Sequence, residues 1–158
     1  MRSKRKGRTG AETHFLNVDL DIYSNTDLEP LVAAMGEKVD VSFVGRVKRT
    51  YQAHLELWDS GLSQSADSII CGFCALIRKL PKAAVKLWIG AKVRDFNVGV
   101  QAAMQPISYE VALAAETVRA AAEVNARIVL TVYAPQLGET NRGKITLKLK
   151  QSDPRQPI

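Results

Sequence analysis

Two cysteines in 158 residues, Cys71 and Cys74, are too few and too close together to staple a fold, so a small disulfide-framed secreted domain is excluded. No apolar run approaches the ~18 residues that a membrane helix requires, and no membrane partner is expected. Only two histidines occur, His14 and His54, and no G-x-S-x-G string accompanies them. A triad of the hydrolase type therefore has no visible frame. Glycine-rich phosphate loops of either common pattern are missing too, and a second C-x-x-C is lacking, so a four-cysteine zinc site cannot be built within one chain. The basic start is followed by Thr9-Gly10-Ala11-Glu12-Thr13-His14 where the apolar core of a secretory leader would stand. Export by that route is not expected, and the cytoplasm is the expected compartment. With 46% apolar and 24% charged residues, 10 Gly and 6 Pro, the composition is that of a globular protein, which excludes collagen, coiled coil and wholesale disorder. Chains of this length bury roughly two-thirds of their extended surface in one core.

What stands out is a net charge of +6, and it sits at the ends. Arg2, Lys4, Arg5, Lys6 and Arg8 are opposed by Glu12 alone within residues 1–14, and Arg142, Lys144, Lys148, Lys150 and Arg155 by Glu139 and Asp153 within 138–158. The stretch between them holds 12 basic and 13 acidic residues. The chain divides on this basis into a basic tail (1–12), a single domain (13–137) and a basic extension (138–158). In the extension, Ile145, Leu147 and Leu149 alternate with Lys144, Thr146, Lys148 and Lys150. GKITLKLKQ reads equally as a late edge strand guarded by lysines and as a solvated tail that orders on a partner.

Inside the domain, Leu16, Val18, Leu20 and Ile22 alternate with Asn17, Asp19 and Asp21, the period of a strand with one buried face. Thr26 and Glu29 have capping-box spacing, and a helix with Leu28, Leu31, Val32 and Met35 inward should close at Gly36. Val39, Val41 and Phe43 form one inward strand row and Ala53, Leu55 and Leu57 another, joined through the basic turn of Arg46, Lys48 and Arg49. Ala66, Ile69, Ile70, Phe73, Leu76, Ile77 and Leu80 fall on one helical arc, ended by Pro81, and residues 82–89 make a short helix stopped by Gly90. Phe96, Val98, Val100 and Ala102 mark a fourth strand. An alanine-rich helix is predicted over roughly 109–124, on Ala's helix propensity, with Asn125 capping it, and Ile128, Leu130 and Val132 mark a fifth strand. The expected fold is α+β: a single, mainly antiparallel sheet with helices on one face, in the split βαβ (ferredoxin-like) order β-α-β-β-α-(α)-β-α-β.

Cys71-Gly72-Phe73-Cys74 invites a redox reading. Such a pair needs its first cysteine at a helix N-terminus, where amide donors stabilise the thiolate. Ser65 to Ile70 already read as cap and first turn, so Cys71 falls inside the helix and faces outward, with Cys74 at the border of the core stripe. Pro106, the proline to test as a redox partner loop, follows a strand and precedes a helix, which is the wrong side of the unit. The pair is therefore expected to be structural.

If the first and third strands are neighbours, Asn17, Asp19 and Asp21 lie beside His54 and Glu56 on the face away from the helices, and Asp95, Asn97, Gln101, Arg127, Thr131 and Tyr133 extend that surface. Alternation alone demands a solvated polar face. A carboxylate-rich face with one imidazole can also hold a divalent cation or an acid/base pair. Tyr23, Trp58, Val44, Val129 and Tyr133 fall there too, and such a collection of apolar groups suits a docking surface. Sheets that stack RNA bases carry aromatics where this one has Asp19 and Glu56.

DLEPLVAAMG after the first strand, HLELWDS ending the third, and SYEVALAAETVRAAAEVNARIVLTVYAP in the closing helix and strand together resemble small bacterial α+β domains found among the immunity-type proteins of toxin-immunity systems. The resemblance covers roughly residues 15–135 and implies a non-enzymatic protein that blocks a toxin by binding it. The expected function is accordingly an interaction protein that meets a protein partner, or a second copy of itself, through Asp19, Asp21, Tyr23, His54, Glu56, Trp58, Asp95 and Tyr133, with no catalytic residue, metal or cofactor. The alternative is a nucleic-acid-associated protein that contacts phosphates through Arg2, Lys4, Arg5, Lys6, Arg8, Lys144, Lys148 and Lys150.

Overall fold

In the computed structural model of the chain, residues 12–58 and 65–135 are described. The basic start, residues 59–64 and everything after Pro135, including the GKITLKLKQ stretch and all eight basic residues of the nucleic-acid alternative, lie outside the described residues.

The alternation at the start of the domain produces strand β1 (His14–Ser24), in which Val18, Leu20 and Ile22 are buried. Helix α1 (Glu29–Met35) follows, turning Leu31, Val32 and Met35 inward, and Gly36 takes φ 70° as the helix ends, a conformation glycine adopts without steric cost. The expected capping box from Thr26 is not formed. Leu28 occupies the cap position, Asp27 Oδ1 accepts the Glu29 amide at 3.0 Å, and the Thr26 hydroxyl turns back to Ser24 at 3.0 Å. Strands β2 (Val39–Val47) and β3 (Thr50–Leu57) form the expected hairpin. Helices α2 (Ala66–Arg78) and α3 (Lys82–Gly90), strand β4 (Val93–Gln101), helix α4 (Ala115–Glu123) and strand β5 (Arg127–Tyr133) complete the domain.

The strands lie in the order β2-β3-β1-β4-β5. β1 is antiparallel to both β3 and β4, and β2 to β3. β4 and β5 are parallel. The sheet is therefore mixed, and the expectation of a mainly antiparallel sheet is met at three pairings and not at the fourth. The connection through α4 carries the chain back to the starting end of β4, which is what a parallel pairing requires. One core contains the inward rows of β1, β3 and β4 together with the buried faces of all four helices. Phe96 of β4 stacks on Phe73 of α2 at 5.9 Å between centroids, joining the sheet to the helix layer.

Two further expectations fail for identifiable reasons. Residues 109–114 are not helical, and α4 begins only at Ala115. Val111 and Leu113 pack on the core while Glu110, Ala112 and Ala114 stay exposed, a period of two. The stretch is held extended at both ends: the Phe15 amide donates to the Tyr109 hydroxyl at 2.8 Å, and the Ala114 amide donates to Asp67 Oδ1 at 2.9 Å. Tertiary anchoring outweighs alanine's helix propensity here. In β2 the register slips between Val41 and Phe43. The extra residue, Ser42, reverses which face the following side chains meet. Val44 now packs against the core, and Phe43, expected inside, stands outside beside His54.

Arg94 secures the helix ends. Its guanidinium donates to the carbonyls of Trp88, Ile89 and Ala91 at 2.9, 3.1 and 2.7 Å, and its Nε to Asn125 O at 2.8 Å. Those carbonyls lie at or just beyond the C-terminal ends of α3 and α4, at the negative end of each helix dipole, and of the four Trp88 O also accepts the Ala91 amide at 3.3 Å. Asn125, at φ 57°, closes α4 as expected. Because the carbonyls lie near enough to the surface to rehydrate, the four bonds do not add. Arg94→Ala is expected to cost about 2–3 kcal/mol by urea unfolding, with Arg94→Lys recovering only part because an ammonium cannot span both helix ends. An alanine variant as stable as wild type would contradict this role.

Candidate functional site

Among the described residues the helices pack on one side of the five strands and leave the other face of the sheet uncovered, and the register decides what meets on it. Asp21 lies opposite His54 on β3 and Asp95 on β4, and Asp19 lies opposite Glu56 and Asn97. A chain of polar contacts crosses four strands: the Thr131 hydroxyl donates to Asn97 Oδ1 at 2.6 Å, Asn97 Nδ2 donates to Asp21 Oδ2 at 3.2 Å, and Asp21 Oδ1 meets His54 Nδ1 at 2.6 Å. A carboxylate only accepts, so His54 donates from Nδ1. The ring is held between Tyr23, edge-on at 5.8 Å, and Phe43 at 6.0 Å. Burial, then the charges of Asp21 and Asp95, push the Tyr23 hydroxyl above its ordinary value.

Asp95 does not serve as a free acidic group. Arg127 grips both its oxygens at 2.7 Å, leaving the Asp95 side chain only 13% exposed. The unneutralised acid lies on the other side of β1, where Asp40, Glu56 and Asp19 stand in one row across β2, β3 and β1. Asn17 Nδ2 donates to Glu56 Oε2 at 3.0 Å and to Asp19 Oδ1 at 3.4 Å. No ion pair to any of the three carboxylates occurs among the described residues. Burial, then Glu56 and Asp21, raise the Asp19 carboxyl above its ordinary value, against a smaller opposing pull from His54.

The fold thus favours the neutral form of Asp19, and its ionisation weakens the fold. That penalty is absent below the ordinary value of 3.8 and complete once pH has risen through the higher folded value. Asp19→Asn, which keeps an acceptor for Asn17, is expected to raise the thermal midpoint at neutral pH and to lose that gain below pH 3.8. An equal gain at both pH values would contradict the electrostatic origin.

At the margins stand the apolar groups. Trp58 follows β3, its amide donating to Lys38 O at 2.9 Å and its side chain 64% exposed. Phe43 is 40% exposed and Tyr133, opposite Gln101, 47%. Of the expected residues, Asp19, Asp21, Tyr23, His54 and Glu56 come together, Trp58 and Tyr133 flank them on opposite sides, and Asp95 is taken up by Arg127. Sequence reasoning missed Asp40 and Phe43. Pairing the hairpin residue by residue would have found Asp40 opposite Glu56, but Phe43 depends on the register slip, which has no sequence signature.

Other places in the molecule offer less chemistry. Cys71 sits in the second turn of α2, its sulfur 3.6 Å from the Thr117 hydroxyl. Cys74 is fully buried rather than at a border, because α4 packs over that side of α2, and burial pushes its thiol up to about 11, away from the thiolate that redox exchange needs. On the helix side, a groove of about 480 Å³ runs between Ile77, Val85, Trp88 and Ile89, with the Arg78–Glu123 ion pair at 2.8 Å on its wall. Among the described residues, no three His, Cys, Asp or Glu side chains converge as a metal site, and no helix is long and apolar enough to cross a membrane. The class defined by the described residues is an α+β domain with one mixed five-stranded sheet, whose face away from the helices carries an acidic row. No family model, curated protein or solved structure matches the chain.

Proposed function

We propose that the chain is a non-enzymatic interaction protein that docks a basic protein surface on the open face of its sheet, in the manner of an immunity protein meeting its toxin. The observation that carries this reading is the Asp40–Glu56–Asp19 row, without a basic partner among the described residues and flanked by exposed Phe43 and Trp58. Carboxylates at that spacing steer and register a cationic partner, and exposed aromatics supply the anchors that dominate binding energy. His54, fixed by Asp21 and two aromatic rings, stiffens the centre and lowers the ordering cost of association. The same reading takes β1 to β4 with α1 and α2 as a split βαβ, ferredoxin-like unit to which β5 is added, and places the protein in the cytoplasm of a bacterium.

The test is affinity capture from the cells that make the protein, after nuclease treatment. Parallel baits carry the wild-type chain, Glu56→Lys on the open face and Glu116→Lys on α4. One basic protein held by the wild-type and Glu116→Lys baits and lost from Glu56→Lys is the expected result. The same protein held equally by all three, or a retained species that nuclease removes, would overturn it.

A further inference from the structure

Strand β5 ends the sheet, and among the described residues its outer edge has no partner. Leu130 and Val132, on the helix-layer side of that edge, are each 58% exposed although they pair with buried Val98 and Val100. An exposed edge strand with an apolar row beside it is a template for another strand. The chain continues for 23 residues beyond Pro135, and seven of them, Lys144 to Lys150, carry the strand period of two.

We propose that Lys144–Lys150 adds to the outer edge of β5 as a sixth strand, antiparallel to it. The register follows from matching the two alternations: Val132 faces Ile145, Leu130 faces Leu147 and Ile128 faces Leu149, so that three apolar pairs cover the exposed row. On the open face Thr131 meets Thr146, a favourable cross-strand pair, and Val129 meets the stem of Lys148. Arg127 and Lys150, the one like-charged pair, fall at the end of the ladder away from the turn. Ten residues, 134–143, join the two strands; a span of up to about 33 Å easily closes a gap of about 4.8 Å between neighbours. The register sets Lys144, Lys148 and Lys150 on the open face, leaving a strand whose own edge is guarded by lysines. A second copy pairing β5 with β5 would cover the same apolar row, but a tethered segment competes at an effective concentration on the order of millimolar.

The test is made in the full chain with Cys71→Ser, which leaves only the buried Cys74. Leu130→Cys with Leu147→Cys should close an intramolecular disulfide under mild oxidation, seen by non-reducing electrophoresis and peptide mass. Leu130→Cys with Lys148→Cys, on opposite faces, should not. Because the paired cysteines themselves alter the edge, a second measurement uses Leu147→Pro in the wild-type background. It should speed hydrogen exchange at the outward amides of β5 by roughly tenfold or more, without changing exchange in β1. A disulfide between two chains, equal yields at 147 and 148, or unchanged β5 exchange in Leu147→Pro would each overturn the proposal.

Discussion

Reversing Asp19 and Glu56 together to lysine is expected to abolish complex formation while leaving the thermal midpoint within ~4 °C of wild type. The two residues face each other across β1 and β3, so exchanging both signs keeps their mutual repulsion, while Asp40 opposite Glu56 and Asp21 near Asp19 become attractive neighbours that offset the lost Asn17 bonds. The lysine stems can lie along the sheet with their ammonium groups in water. A partner sees the opposite. Two attractive contacts become two repulsive ones beside the aromatic anchors, where like charges cost several kcal/mol, and affinity should fall by well over ~30-fold. Association should slow and lose its salt dependence, because steering by the acidic row is gone. Unchanged affinity with an intact fold would remove the open face from the account.

Two phenylalanines on strands should behave in opposite ways. Phe96→Ala empties a fully buried position that stacks on Phe73, and is expected to cost about 3–5 kcal/mol in denaturant unfolding. Phe43→Ala removes a ring that the slip in β2 has turned outward beside His54. Its cost in stability should stay below ~1 kcal/mol, while its cost in binding should reach roughly tenfold or more, as for an exposed aromatic anchor. Sequence alternation alone treats both residues as core. A large loss of stability from Phe43→Ala, or unchanged binding, would mean that the ring does not serve the open face.

That contrast marks how far the sequence could be read. Alternation at 15–23 placed Asp19, Asp21 and Tyr23 on one face, although Leu16, read with the buried row, is 43% exposed beside the irregularity between Phe15 and Val18. The helical arc from Ala66 to Leu80 placed the main core helix, because that pattern extends over enough residues to admit one period only. The neighbour relation of β1 and β3, and with it the Asp21–His54 contact, followed from the order of elements. What stayed hidden depends on single residues acting at a distance. Ser42 in the β2 register slip exchanges Phe43 and Val44 between faces. Tyr109 and Asp67 hold an alanine-rich stretch extended, and Arg127 folds over Asp95 and removes it from the acidic surface. The parallel fifth strand follows from the α4 crossover, and nothing within β5 itself distinguishes it from an antiparallel strand.

The central claim, that the open face is the binding face, is tested most directly by fluorine NMR on chain labelled with 5-fluorotryptophan. The two tryptophans report the two sides of the molecule: Trp58 is exposed at the edge of the open face, and Trp88 is buried in the helix layer with its indole N–H on Val124 O at 2.9 Å. On titration with the captured partner, the Trp58 resonance should shift and lose its solvent isotope effect while that of Trp88 stays in place. A complex in which Trp58 is unmoved and still solvent-exposed would contradict the account.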